Sequence, residues 1–478
     1  MRQLLLLLFI LVVSTVSAAS DRRTRTIERF VQDSIFRHGA VAVGLYNAKS
    51  GKPVYEHNAH QALIPASTVK LASTGAALEL FSPDFRFSTT LYHTGEIGSD
   101  GVLKGSLLVV GSGDPSLGSR FLSMKADSFL VFFADRLLEA GVRSIEGEIV
   151  AVERAESPFD NISPKVLWED VASYYGGGCY DLNIYDNNFS LRVVHDNPTD
   201  VRFILEPSIP GLALTNRLRV WEQDKDSLAL YPNMTRAGVE VRGAISRQSR
   251  QTTLRGAIPD PPMLLITELR RELQRRGIGV SGNSVVRSYT QKEIAELKES
   301  AAPVAEWSSP SLLELSRETN FRSLNLYAEA INRLLTQVDT FGWSDGTIYP
   351  LVAYWKSKGM NTEGVWLYDG SGLAQSNRVK ASFIADVLVR MYRSPYSLAF
   401  VSTLPQVGKE GSVAGLFRTK ENKGRIRLKS GSMSQVAAYA GYIDDGNSTY
   451  VLVLMINQFM GERRELNKKI ERLLYSIQ

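Results

Sequence analysis

The chain has 478 residues, enough for about three domains of ordinary size or for one large core with insertions. Hydrophobic residues make up 44% and charged residues 22%, the ordinary balance of a soluble globular protein. Lys and Arg total 55 against 50 Asp and Glu, a formal charge of +5. The basic residues are scattered, with no basic stripe interleaved with aromatics, so the excess reads as solvated surface and argues against a nucleic-acid partner.

The N-terminus carries Arg2, an apolar stretch from Leu4 to Val13, and small residues ending in Ala18 and Ala19. This pattern is that of a secretory signal peptide over 1–19. The apolar stretch falls short of the ~20 residues that span a hydrocarbon core, so stable membrane insertion is not expected, and an uncleaved anchor is the alternative. Cys179 is the single cysteine, which excludes an internal disulfide.

The first mature segment, Asp21 to His38, predicts a helix, with Ile27, Phe30, Ile35 and Phe36 sharing an apolar face. Val41 to Tyr46 and Pro53 to Glu56 predict a hairpin around the turn Asn47–Lys52. A helix is expected from about Ser67 to Leu80. From Phe85 the texture changes to short strands and Gly turns, with one helix expected over Asp127–Ala140. This β-rich or α+β region spans about 90 to 261 and reads as two small domains, with "PDPPM" (Pro259 to Met263) as its boundary. A strongly periodic amphipathic helix follows. In the last third Ala437–Ile443 and Thr449–Ile456 predict strands, the second apolar almost throughout, as a central strand is. The chain closes on an amphipathic helix with Leu466, Ile470, Leu473 and Leu474 on one side.

Three short patterns carry candidate chemistry. In "ASTVK", Ser67 and Lys70 stand at i and i+3, so on a helix they are neighbours. A serine hydroxyl is a weak nucleophile and needs a base, and a lysine becomes one when burial and a nearby cation lower its pKa. Alone, this pair also reads as an N-cap serine followed by a surface lysine. In "FRSLNLYAEAI", Ser323 and Asn325 precede a helix. Ser323 can relay a proton between Lys70 and a leaving amine, and Asn325 can hold Lys70 and the substrate amide. In "RLKSGSM", Lys429 and Ser430 can bind a carboxylate, and Gly431 lets a substrate backbone come close. The N–H of Ser432 can join that of Ser67 in an oxyanion hole. The five histidines offer neither a Ser-His-Asp arrangement nor metal-ligand spacing.

S-x-x-K, then S-x-N, then K-[ST]-G, in this order, is the signature of penicillin-binding proteins and serine β-lactamases. The chain resembles the low-molecular-mass class C penicillin-binding proteins, the D-alanyl-D-alanine carboxypeptidase/endopeptidase family. Lys70 and Ser323 are 323 − 70 = 253 residues apart, a gap that in this family holds inserted domains. "GSGDPSL", "WEDVASYYG", "DGSGLAQSNRV" and "LPQVGKEGSVAGLFR" resemble the family too, so the likeness covers nearly all of the mature chain. Leu324 stands where Asp is frequent, and Ser430 where Thr is usual.

The resemblance implies an α+β, transpeptidase-like fold: an antiparallel sheet flanked by helices, built from 20–89 and 262–478 and interrupted by the β-rich insert 90–261. It implies an acyl-enzyme on Ser67 formed from peptidoglycan stem peptides and cross-links, with β-lactam antibiotics as covalent inhibitors and no cofactor or metal. Asp170 in "WEDV" is expected to meet an amino group of the substrate. Together with the signal peptide, the resemblance implies export, to the periplasm. A serine β-lactamase and a non-catalytic peptidoglycan-binding protein are the alternatives.

Overall fold

The computed structural model describes residues 22–155, 161–197, 200–233, 238–337, 349–417 and 425–477; the signal peptide expected over 1–19 lies outside them. The chain divides into two compact units. The first comprises Met1–Pro83, Ser316–Leu324 and Gln337–Gln478, the second Asp84–Leu315 and Asn325–Thr336.

The first unit is organised on a five-stranded antiparallel sheet in the order Pro53–His57, Ala40–Asn47, Thr449–Asn457, Val436–Asp444, Ile426–Met433. Thr449–Asn457 is the middle strand, which accounts for its apolar run: both faces are covered. Leu452, Leu454 and Ile456 face a cluster completed by Ile27 and Phe30 and by Leu466, Ile470 and Leu473 of the closing helix Arg463–Ile477. The alternate side chains, Val451, Val453 and Met455, are equally buried on the other face, where the helix Ala381–Arg393 packs.

The first helix is shorter than expected. It covers 22–31, and Asp33 then caps a separate turn, Ser34–Phe36, by accepting the Ile35 N–H at 3.0 Å. Helix Val69–Phe81 is buried on nearly every side from Val69 to Leu78, which fits its all-round apolar sequence.

In the second unit a mixed sheet runs Ser284–Tyr289, Ile149–Arg154, Leu107–Gly111, Ser88–His93, Ala302–Ser308. The amphipathic helices Ser128–Glu139 and Pro261–Arg275 bury Phe129, Phe133, Leu265 and Leu269 in one apolar cluster. Two three-stranded sheets, built from residues 188–257, contribute Phe189, Leu191 and Val241 to the same cluster, so no gap in the core separates two small domains.

The boundary expected at 261/262 is corrected by this pairing. Strand Ser284–Tyr289 runs parallel to Ile149–Arg154, and Ala302–Ser308 runs antiparallel to Ser88–His93, which keeps the chain in the second unit as far as Leu315. "PDPPM" is instead a helix start: Asp260 accepts the Met263 N–H at 3.0 Å, and Pro261 occupies the first helical position, where a missing N–H costs nothing.

Candidate active site

Ser67 sits in a short turn, Ala66–Thr68, that leads directly into helix Val69–Phe81. Lys70, one turn on, is fully buried, and its Nζ donates to Ser67 Oγ at 3.0 Å and to the Ser371 carbonyl at 2.6 Å. The second bond comes from a loop whose function was not read from the sequence. Asp369 organises that loop by accepting from the N–H groups of Gly372 and Ala374 and from Asn377 Nδ2. Ser73 Oγ ties it down by donating to the Gly370 carbonyl at 2.7 Å. Gly372, at φ +82°, is needed there, because a Cβ would lie 2.0 Å from the Ala66 carbonyl oxygen. The readable signal was the D-G-S-G pattern, an acidic turn residue followed by two glycines. Burial holds the Asp369 carboxyl above its ordinary range, against the three N–H donors and the Lys70 charge that favour its ionised form.

Ser323 follows the helix Leu312–Arg322 and adopts φ +62°, a left-handed conformation that side-chain-bearing residues seldom take. Lys429, fully buried on strand Ile426–Met433, donates from Nζ to Ser323 Oγ at 2.9 Å and to the Ser430 carbonyl. The expected carboxylate ligand therefore turns towards Ser323. Burial, and then the positive charge of Lys70, push the Lys429 ammonium well below its ordinary pKa.

Strand Ile426–Met433 is the last of its sheet and passes against Ser67. A Cβ on Gly431 would lie 2.9 Å from both the Pro65 carbonyl oxygen and the Ser67 nitrogen, so glycine is needed for backbone approach at this point. Ser430 is half-buried and Ser432 exposed on the same strand. Seven of the expected residues (Ser67, Lys70, Ser323, Lys429, Ser430, Gly431 and Ser432) thus belong to the first unit.

Asn325 and Asp170 belong to the second unit. There Asn325 Nδ2 donates to the Tyr175 carbonyl at 2.8 Å, and the Tyr175 hydroxyl donates to Asp170 Oδ1 at 2.8 Å. One tyrosine thereby fixes both.

Two Lys–Ser pairs with a glycine strand beside Ser67 fit the arrangement of a serine acyl-transfer site. The profile of the D-Ala-D-Ala carboxypeptidase 3 (S13) family matches residues 24–475. The chain belongs to this family. It is a serine-type peptidase of the S13 class. It is 24% identical over 442 residues to a D-alanyl-D-alanine carboxypeptidase of Actinomadura, covering 87% of this chain and 77% of that one. The crystal structure of penicillin binding protein 4 from Haemophilus influenzae superposes with a TM-score of 0.78 at 22% identity, covering 92% of this chain and 97% of that one. A second structure of the Haemophilus protein, complexed with a β-lactam, gives 0.74 at 21% identity, with coverage of 92% and 97%. The fold is therefore the α+β penicillin-binding fold that the sequence implied. Among the described residues no helix is long and apolar enough to cross a membrane.

Proposed function

We propose that this S13 peptidase removes the terminal D-alanine of peptidoglycan stem peptides through an acyl-enzyme on Ser67. The 3.0 Å bond between Lys70 Nζ and Ser67 Oγ, formed by a fully buried lysine, carries the reading. Lys70 takes the Ser67 proton as Oγ attacks the carbonyl carbon of the penultimate D-alanine. The N–H groups of Ser67 and Ser432 hold the oxyanion, and the close passage of Gly431 by the Ser67 nitrogen supports this pairing. Ser323 gives a proton to the leaving D-alanine nitrogen as the C–N bond breaks. The proton that Lys70 took from Ser67 replaces the one Ser323 gives up, so Lys429, which donates to Ser323 Oγ, keeps its charge. Water then hydrolyses the ester. Lys429 supplies charge, and Ser430 a hydroxyl, for the terminal carboxylate. The parts taken by Asn325, on the substrate amide, and Asp170, on a substrate amino group, rest on the motif pattern and on their shared tyrosine.

The same chemistry opens D-alanyl–diaminopimelyl cross-links, the endopeptidase reaction. β-Lactams acylate Ser67 because their strained amide presents the same carbonyl; the β-lactam complex of the Haemophilus protein supports this. The second unit is read as an insertion into a transpeptidase-like catalytic unit, and the signal-peptide pattern over 1–19 supports a reading of export to the periplasm.

The test is intact-protein mass after brief incubation with benzylpenicillin, followed by peptide mapping. One adduct is expected on the peptide that carries Ser67. Ser67→Ala is expected to lose both the adduct and D-alanine release; D-alanine release retained by that variant refutes the nucleophile.

A further inference from the structure

Ser430 has a hydrogen-bond partner that the motif does not include. Ser412 Oγ lies 2.6 Å from Ser430 Oγ. Ser412 is exposed and belongs to a short turn, Gly411–Val413, 18 residues before Ser430 in the chain. Its position is nonetheless fixed from two sides. The Gly411 backbone, at φ +53°, presses against the end of the helix that presents Ser323: a Cβ there would lie 2.4 Å from the Phe321 carbonyl oxygen. The preceding loop is laced along the sheet edge by the bonds Val407 N–H to the Ile426 carbonyl, 2.9 Å, and Leu428 N–H to the Pro405 carbonyl, 3.1 Å. Ser412 is therefore held between the Ser323 corner and the Ser430 strand.

Lys429 cannot by itself supply the directional contacts that a carboxylate needs. It is fully buried and its Nζ is turned to Ser323 Oγ and the Ser430 carbonyl. What the strand offers at its accessible side is hydroxyl. The pair Ser412–Ser430 has two O–H groups, of which the mutual bond uses one, leaving one donor for a ligand. A chained hydroxyl is also polarised by its neighbour, so it donates better than an isolated one. Ser430, unlike threonine, has no β-branch to restrict χ1, so an external partner is what fixes its oxygen.

We propose that Ser412 is a substrate-binding residue: with Ser430 it forms a two-hydroxyl element that recognises the terminal carboxylate of the substrate or of a β-lactam. This deepens the reading of Ser67 as a peptidase nucleophile and rests on it.

The experiment compares acylation rates, by intact mass, for benzylpenicillin and for its methyl ester, which lacks the carboxylate charge. The wild-type chain is expected to react faster with the acid. Ser412→Ala is expected to slow the acid about tenfold, the loss of one hydrogen bond to a charged group, and to leave the ester within about twofold. Ser412→Thr keeps the hydroxyl and restores the acid rate. In a Ser430→Thr background, where the β-branch holds the hydroxyl, Ser412→Ala is expected to cost the acid less than about threefold. Equal slowing of acid and ester by Ser412→Ala, or no slowing of either, overturns the proposal while leaving the Ser67 reading intact. No acylation of the wild-type chain by either compound overturns the Ser67 reading and this proposal with it.

Discussion

Two lysines, both fully buried, each donate to a serine hydroxyl, and the pairs are not equivalent. Lys70 is tied to Ser67 and to a loop carbonyl; Lys429 is tied to Ser323 and its own strand. Their repulsion is mutual, so holding a proton on both at once carries a cost. Ala66 at φ +46° and Ser323 at φ +62° show where the backbone accepts strain to aim these groups. Arginine keeps the charge of Lys70 but cannot act as a base near neutral pH. Lys70→Arg is therefore expected to lower the rate of penicillin acylation about 10²- to 10⁴-fold, the span of general acid–base effects, with little loss of secondary structure by circular dichroism. Acylation at the wild-type rate would show that charge, and not proton removal, is what Lys70 supplies. The Ser67–Lys70 pairing was legible in the sequence because i and i+3 meet on any helix. The partnership of Lys70 with Ser371 was not, because 301 residues separate them and no local pattern links them.

At the scale of elements, the edge strand Ile426–Met433 and the middle strand Thr449–Asn457 divide the work. The middle strand supplies stability: Leu454→Ala empties a fully buried site and is expected to cost about 2–5 kcal/mol in urea unfolding. A loss below about 1 kcal/mol would mean that the surrounding cluster collapses into the space. The edge strand supplies approach. Gly431→Ala sets a methyl group against backbone atoms that cannot swing away, 2.9 Å from Ser67 N. The expected result is a fall of more than tenfold in acylation with a drop of about 1–3 kcal/mol in stability. Wild-type acylation in this variant would mean that the strand shifts freely past the nucleophile. Hairpin, central strand and closing helix were all readable, because period-2 and period-3.6 patterns are local. The truncated first helix was not, since its interruption depends on Asp33 choosing a cap over helix continuation.

At the scale of the molecule, the second unit carries a buried acidic cluster, while Ser67 lies in the first unit. Asp181 pairs with Arg154 at 2.5 Å and with Arg333 at 3.7 Å. Burial, reinforced by the Asp181 charge, lifts Glu153 from its ordinary 4.5 to about 8. Glu153 thus binds its proton more tightly folded than unfolded. Its contribution is fully present below pH 4.5 and is lost as pH rises to about 8, so stability falls with pH across that window. Glu153→Gln is expected to flatten this slope and to raise the thermal midpoint at pH 8 relative to the wild type. A slope unchanged in Glu153→Gln would assign it to other groups.

The sequence by itself determined the order of the three motifs, the neighbouring positions of Ser67 and Lys70, and the change to short strands and Gly turns after Phe85. These are properties of short spacings and of composition, which survive without knowledge of the fold. Only the tertiary structure decided that residues 262–315 pack in the second unit, that Lys429 faces Ser323, that Asp369 and Ser371 support Lys70, and that Ser412 meets Ser430. Each of these depends on strands, helices and loops brought together from distant parts of the chain. A pairing partner is chosen by the free energy of the whole packed unit, and no window of the sequence contains it.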